Sequence, residues 1–157
     1  MSCWDTSALV KLYAMEADSA QFQELTAPGA PLVVARIAHY EAHAVFRRRE
    51  AEGSLPPGET AVLLREISAD IASGKMVVQA DDAELETKFG EVMEQCHSQT
   101  PPIFIRTNDA LHIASALVAG EKEFITADGR QRCSWASPCS RRHFGSHASR
   151  IKLNGEA

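Results

Sequence analysis

The sequence has few cysteines, few aromatic residues and no long apolar run. Its 157 residues include 4 cysteines, and no two of these form a C-x-x-C pair. Neither a disulfide framework nor a zinc knuckle is therefore predicted. No run of about eighteen apolar residues occurs and no apolar segment follows a basic start, which argues against a membrane span and a secretory signal. We expect a cytoplasmic protein without a membrane partner.

A basic surface is also lacking over most of the chain. Residues 1–128 contain 10 lysines and arginines against 20 acids, whereas residues 129–157 contain 6 against 1. Proteins that bind nucleic acid by bulk charge present a basic surface that displaces counterions from the phosphates. The acidic body argues against that class. It remains compatible with an enzyme that meets phosphates through a metal ion.

Two regions of the sequence differ in composition and in hydrophobic periodicity. Residues 1–128 alternate between short apolar strands and amphipathic helices, which predicts one α/β domain with a parallel sheet. After Gly129 the chain is rich in serine, arginine and histidine and shows no sustained period. Only residues 151–153 could form a final strand there. We therefore divide the chain into a domain at 1–128 and a basic, divergent tail at 129–157.

One carboxylate, Asp109, stands on the opening turn of an otherwise apolar helix. This helix is predicted from Arg106 to Leu117, with Thr107 or Asn108 as its cap. Asp109 lies beside the apolar stripe that packs on the core. A structural alternative is that Asp109 only complements the helix dipole, an effect of about 0.3–1 kcal/mol.

Asp5 and Asp128 are each the last residue of a predicted strand. The strands are Ser2 to Asp5 and Glu123 to Asp128, and Thr6-Ser7 is expected to cap the next helix. In a parallel sheet the carboxyl ends of strands share one edge, where ligands bind, so the two acids can converge. For Asp5 the alternative is an ordinary helix cap.

Glu41 is the fourth acid in an unexpected place. It shares a helical face with Ile37, Val45 and Arg48. Burying an isolated carboxylate costs several kcal/mol unless it is paired or binds a metal. A salt bridge to Arg48 or Arg36 is the structural alternative.

Four carboxylates in one pocket repel each other unless a cation is present. Oxygen ligands with water completing the shell suit Mg²⁺ or Mn²⁺. Such an ion activates water and neutralises charge on a leaving oxygen, which indicates metal-assisted hydrolysis of a phosphodiester.

The residues resemble the PIN-domain nucleases, and among them the VapC-like toxins of bacterial toxin–antitoxin pairs. The likeness lies in four segments, which are Asp5-Thr-Ser-Ala-Leu-Val-Lys-Leu-Tyr13, the context of Glu41, Asp109-Ala-Leu-His-Ile-Ala-Ser-Ala-Leu117 and Phe124-Ile-Thr-Ala-Asp128. The resemblance implies a three-layer α/β/α fold with a mainly parallel sheet of about four to five strands. It also implies cleavage of single-stranded RNA, homodimers and inhibition by a small antitoxin protein.

The same resemblance implies roles for particular residues. Asp5, Glu41, Asp109 and Asp128 would be the catalytic acids and would bind Mg²⁺ or Mn²⁺. Thr6, Ser7 and Thr126 would orient ligands or substrate, and Arg106 would bind a neighbouring carboxylate or a phosphate.

The tail departs from the family pattern, which usually continues with an amphipathic helix and a closing strand. A disordered end, a basic arm that grips RNA and a reading-frame change that replaced the original ending are three competing explanations. The alternative to a nuclease is a catalytically impaired PIN-fold binding module that still binds an antitoxin. An aspartyl phosphotransferase or receiver fits less well, because Ser7 stands where the phosphatase motif has its second acid.

Overall fold

The computed structural model of the chain describes residues 2–128 and 149–153, and strands and helices alternate over most of this part. The strands are β1 Ser2–Trp4, β2 Leu32–Ala35, β3 Met76–Gln79, β4 Glu123–Thr126 and β5 Ser149–Lys152. The helices are α1 Thr6–Tyr13, α2 Ser19–Gln23, α3 Arg36–Ala51, α4 Glu59–Ala72, α5 Ala83–His97 and α6 Thr107–Val118.

The strands form one sheet in the order β3-β2-β1-β4-β5. The first four strands are parallel, and β5 pairs antiparallel with β4. The chain builds outward from β1 through β2 to β3 and then returns to the other side of β1 with β4. This reversal makes the carboxyl ends of β1 and β4 a topological switch point, the usual ligand position in such sheets.

Alternating side chains of the strands face two different helical layers. Trp4, Val34 and Ile125 belong to the core cluster that contains α1 to α4. Cys3, Val33 and Phe124, each one position earlier, pack against α6 and the β5 side chain of Ile151 instead. α5 packs on α6 through a third cluster. Because strand side chains alternate between faces, this pattern gives a three-layer α/β/α arrangement. The predicted fold class is confirmed.

Burial of large apolar side chains fixes the carboxyl ends of β1 and β4 in the sheet. Trp4 and Ile125, which immediately precede the polar ends of β1 and β4, are fully buried. Complete burial of such a side chain contributes about 1.5–3 kcal/mol or more. The strand ends are therefore anchored within a residue or two of the acids that follow them.

Near these strand ends the predicted caps, Thr6-Ser7 for α1 and Thr107 or Asn108 for α6, are wrong, whereas the alternative that Asp5 is a helix cap is confirmed. Asp5, and not Thr6 or Ser7, is the N-cap of α1 and accepts the backbone N–H of Ala8. α6 begins at Thr107 without a side-chain cap. Thr6 and Asn108, two of the residues expected to cap these helices, donate to Glu41 instead.

The end of the chain agrees partly with its prediction. The possible strand at 151–153 is observed as β5, Ser149–Lys152. The three explanations for the tail concern mainly residues 129–148, which lie outside the described residues. Both cysteines of the described part, Cys3 and Cys96, are free thiols in buried positions. No helix in this part is long and apolar enough to cross a membrane.

Candidate functional site

Asp5 is a buried carboxylate with three hydrogen-bond donors around it. It is 2% exposed. Its Oδ1 accepts the N–H of Ala8 at 2.8 Å, and the Ser7 hydroxyl donates to its two oxygens at 2.8 and 2.9 Å. The Thr126 hydroxyl donates to Oδ2 at 2.6 Å. Burial raises the pKa of Asp5, while His112 and these donors act in the opposite direction.

The two hydroxyls around Asp5 also tie α1 to β4. Ser7 Oγ accepts the backbone N–H of Ala127 at 2.9 Å, and Thr126 Oγ1 accepts that of Asp128 at 2.9 Å. Each hydroxyl thus uses its hydrogen for Asp5 and its lone pair for the chain beyond β4. The orientation of Asp5 is therefore coupled to the segment that carries Asp128.

Glu41 lies on α3 and is held by side chains from two other helices. Its Oε2 accepts the Thr6 hydroxyl and lies 2.8 Å from His112 Nε2, and its Oε1 accepts Asn108 Nδ2 at 2.7 Å. Burial alone would raise the pKa of Glu41, but the hydrogen bonds from His112, Thr6 and Asn108 lower it to about 2. The structural alternative was a salt bridge from Glu41 to Arg36 or Arg48. These three side chains take the place of that arginine.

His112 is a site residue that the sequence reasoning missed. It is 2% exposed, and its Nε2 lies between Glu41 and the Thr6 hydroxyl, 3.3 Å from the latter. Its Nδ1 is buried and has no hydrogen-bond partner within residues 2–128 and 149–153. The available signal was its position three residues after Asp109, which puts both polar side chains on one face of an apolar helix.

Asp109 and Asp128 share a single guanidinium. Arg106 donates from Nε and Nη2 to the two oxygens of Asp109 at 2.7 and 2.8 Å, and Nη2 lies 3.3 Å from Asp128 Oδ2. This fork geometry is the one that guanidinium forms with carboxylate or phosphate. The Arg106 side chain is 56% exposed, whereas Asp109 is buried.

All four predicted acids line one cleft of about 580 Å³ at the carboxyl edge of the sheet. Thr6, Ser7 and Arg106 also line it, and Thr126 lies behind Asp5. Within the described part of the chain, however, the His, Cys, Asp and Glu side chains form no group of three that could hold a metal ion. The acids therefore share the cleft without converging on one point, and Arg106 lies between two of them.

Comparison with known proteins agrees with this architecture. The sequence matches the PIN domain over residues 3–132. No curated protein matches it. The fold is similar to the crystal structure of Mycobacterium tuberculosis VapC20, a sarcin–ricin loop cleaving toxin, with a TM-score of 0.64 and 18% identity. That match covers 88% of this chain and 98% of VapC20. Because the PIN-domain match extends over most of its length, the chain belongs to the PIN-domain family.

Proposed function

We propose that this protein is a Mg²⁺- or Mn²⁺-dependent endoribonuclease and the toxin of a toxin–antitoxin pair. The observation that carries the proposal is the cleft, because carboxylates from four separate segments line one open volume at the switch point of the sheet. PIN-domain proteins are nucleases as a family. Acids at this edge are suited to bring a hard cation to a phosphodiester.

The donor chemistry fits a hard divalent ion. Asp5, Glu41, Asp109 and Asp128 offer only oxygen atoms, which Mg²⁺ and Mn²⁺ prefer. Burial raises the pKa of Asp5, so a cation would stabilise the ionised form that burial disfavours. When bound, the ion would supply an activated water and would neutralise charge on the leaving oxygen.

The other residues of the cleft would orient these acids. Ser7 and Thr126 fix Asp5, while Thr6, Asn108 and His112 fix Glu41 through neutral or imidazole donors. Arg106 would release Asp109 and Asp128 to the cation and would then be available for a phosphate oxygen, since its fork suits either anion. These roles rest on the contacts of each residue.

The cellular partners are also part of the proposal. The family resemblance supports an RNA substrate and a small cognate antitoxin, and we propose that the protein acts in the cytoplasm. A homodimer follows from the sequence resemblance. We propose that residues 1–128 carry the nuclease domain and that 129–157 form the divergent tail, with β5 as the part of the tail that completes the sheet.

The decisive experiment compares the protein with Asp109→Asn on a mixed structured RNA in Mg²⁺, in Mn²⁺ and in EDTA. Metal-dependent cutting that the substitution abolishes is the expected result. Binding of Mn²⁺ is measured in parallel by titration calorimetry. A folded protein that binds Mn²⁺ but leaves RNA intact would instead support the impaired binding module.

A further inference from the structure

The cleft has a basic side in addition to its acids. Lys11 of α1 and Arg48 and Arg49 of α3 line it together with Glu16. We call these four residues the α1–α3 ledge. An RNA strand entering an acidic cleft is repelled by the carboxylates, so any cation of the ledge that keeps its charge unneutralised is important for binding.

Two of the three ledge cations are neutralised within the protein. Lys11 Nζ lies 2.8 Å from Glu16 Oε2 and 2.6 Å from Asp18 Oδ1. It also lies 5.5 Å from the centroid of the Phe22 ring. Arg49 Nη2 lies 2.6 Å from the other oxygen of Glu16. These contacts hold both cations to the body of the protein.

Arg48 differs from its neighbours. Its side chain is exposed and lines the cleft, and no residue of the described ranges, 2–128 and 149–153, pairs with its guanidinium. Glu41, the acid seven residues earlier on the same face of α3, already binds Thr6, Asn108 and His112. The guanidinium of Arg48 is therefore available to an external anion.

The position of Arg48 relative to the acids indicates what that anion is. Arg48 follows Glu41 by seven residues of one continuous helix, a separation of about 10.5 Å along the axis at 1.5 Å per residue. Ala44 and Val45 lie between them and also line the cleft. A strand whose reacting phosphodiester lies at the acids can thus continue along this wall to Arg48.

We propose that Arg48 binds a backbone phosphate of the RNA beside the one that is cut. Guanidinium forms two parallel hydrogen bonds with phosphate oxygens, which makes arginine well suited to this task. A phosphate contact positions the strand and does not read its sequence. Arg48 is thus a positioning residue for the substrate, and this inference rests on the proposed ribonuclease function.

The test compares Arg48→Gln with Arg47→Gln, a matched control. Arg47 is the preceding residue of α3, its side chain is 60% exposed, and it is not among the residues that line the cleft. Both substitutions remove one exposed positive charge from the same helical turn. Far-ultraviolet circular dichroism and Mn²⁺ binding verify that both variants keep the fold and the acidic site.

Steady-state cleavage of a fluorophore–quencher single-stranded RNA in Mg²⁺ is measured from 50 to 200 mM KCl. At the lowest salt we expect Arg48→Gln to raise KM about tenfold with kcat changed less than about twofold, and to reduce the salt slope by about 0.7. Arg48→Lys, which keeps the charge without the fork, is expected to be intermediate. Arg47→Gln should stay within about twofold of the parent protein.

Equal KM values for the two glutamine variants would overturn the proposal, and so would a lower kcat at unchanged KM. If the parent protein cuts RNA and Asp109→Asn does not, either result removes the role of Arg48 but leaves the nuclease intact. If the parent protein cuts no RNA, the proposed function fails and the inference fails with it.

Discussion

Helix α3 carries two glutamates with similar pKa values in two different regions. Hydrogen bonds lower the pKa to about 2 for Glu41 in the cleft and for Glu50 at the connection between α3 and α4. Glu41 is bound by the side chains of Thr6, Asn108 and His112 and stands among three other acids. Its neighbours orient it towards an open volume.

Glu50 performs a structural task. Its two oxygens accept the backbone N–H groups of Gly58 at 3.1 Å and Thr60 at 3.0 Å, at the start of α4. Gly58 is the N-cap of α4 and has no side chain to accept these groups, so Glu50 supplies the missing acceptor. A lowered carboxylate pKa alone therefore does not indicate a site. The presence of several acids along one open cleft distinguishes the two regions.

The largest expected effect is on catalysis, and only substitutions of acids in the cleft should cause it. Asp5→Asn and Glu41→Gln should each lower kcat/KM at least about a hundredfold, and the double variant should lose far less than the product, because the acids act as one unit. Glu50→Gln should cut RNA at the parent rate. These rates are measured in Mg²⁺ with one labelled RNA.

Independent, multiplicative losses from Asp5 and Glu41 would contradict a single acidic unit. A large loss in Glu50→Gln without unfolding would remove the distinction between the two regions.

The second largest expected effect is on stability, and it distinguishes the charge of Asp5 from its role as the N-cap of α1. Asp5→Ala should lower the free energy of unfolding by about 2 kcal/mol, because it removes the cap and leaves the donors of Ala8, Ser7 and Thr126 without their acceptor. Asp5→Asn should stay within about 1 kcal/mol of the parent, since its amide oxygen still caps α1 and the penalty for burying a charge disappears. Urea unfolding in EDTA measures both values.

A loss in Asp5→Asn as large as that in Asp5→Ala would indicate that the charge of Asp5 stabilises the fold. Asp5 would then resemble Glu50 more than Glu41.

Local patterns predicted the elements better than they predicted the contacts between them. The helix predicted from Arg106 to Leu117 agrees with α6, Thr107–Val118, within one residue at each end, because its apolar positions recur with the helical period. The predicted caps Thr6-Ser7 of α1 and Asn108 of α6 were wrong, because Thr6 and Asn108 donate to Glu41 across the cleft instead. Asn108 donates to Glu41, which lies 67 residues away in sequence. Rules for helix caps use only neighbouring residues and therefore cannot predict such a contact.

The same limit applies to the site. Asp5 and Asp128 were expected at one edge because parallel strands end together, and both line the cleft. His112 was missed because its partner Glu41 is 71 residues away in sequence. The function of the acids themselves stays a prediction.

A smaller effect on metal binding and catalysis is expected from substitution of His112, whose Nε2 lies 2.8 Å from Glu41 Oε2. His112→Leu should weaken Mn²⁺ binding and lower kcat/KM by about tenfold, as loss of a supporting hydrogen bond to a ligand commonly does. His112→Gln keeps an N–H donor at similar reach and should recover most of both. Calorimetric titration with Mn²⁺ and the cleavage assay measure the pair.

If His112→Gln is as impaired as His112→Leu while both remain folded, the hydrogen bond to Glu41 is not what His112 contributes.

The smallest effect is on the pH dependence of stability, and it should belong to Glu50. The Thr60 hydroxyl and the N–H groups of Gly58 and Thr60 lower the pKa of Glu50 from 4.5 to about 2. A carboxyl whose pKa is lower in the folded state contributes stability that is fully present above its unfolded pKa. That contribution is lost as the pH falls from about 4.5 towards 2. Glu50→Gln should therefore be less stable than the parent at pH 6, and the difference should shrink between pH 4.5 and 3.

Urea unfolding in EDTA at each pH measures this difference, with Glu52→Gln as the matched control. Glu52 is exposed, lies two residues further along the chain, and makes no hydrogen bond to α4 within the described part of the protein. Its substitution should leave the pH profile parallel to that of the parent. A parallel profile for Glu50→Gln as well would mean that the bonds to Gly58 and Thr60 do not stabilise α4. Glu50 would then have no structural role to set against the catalytic role proposed for Glu41.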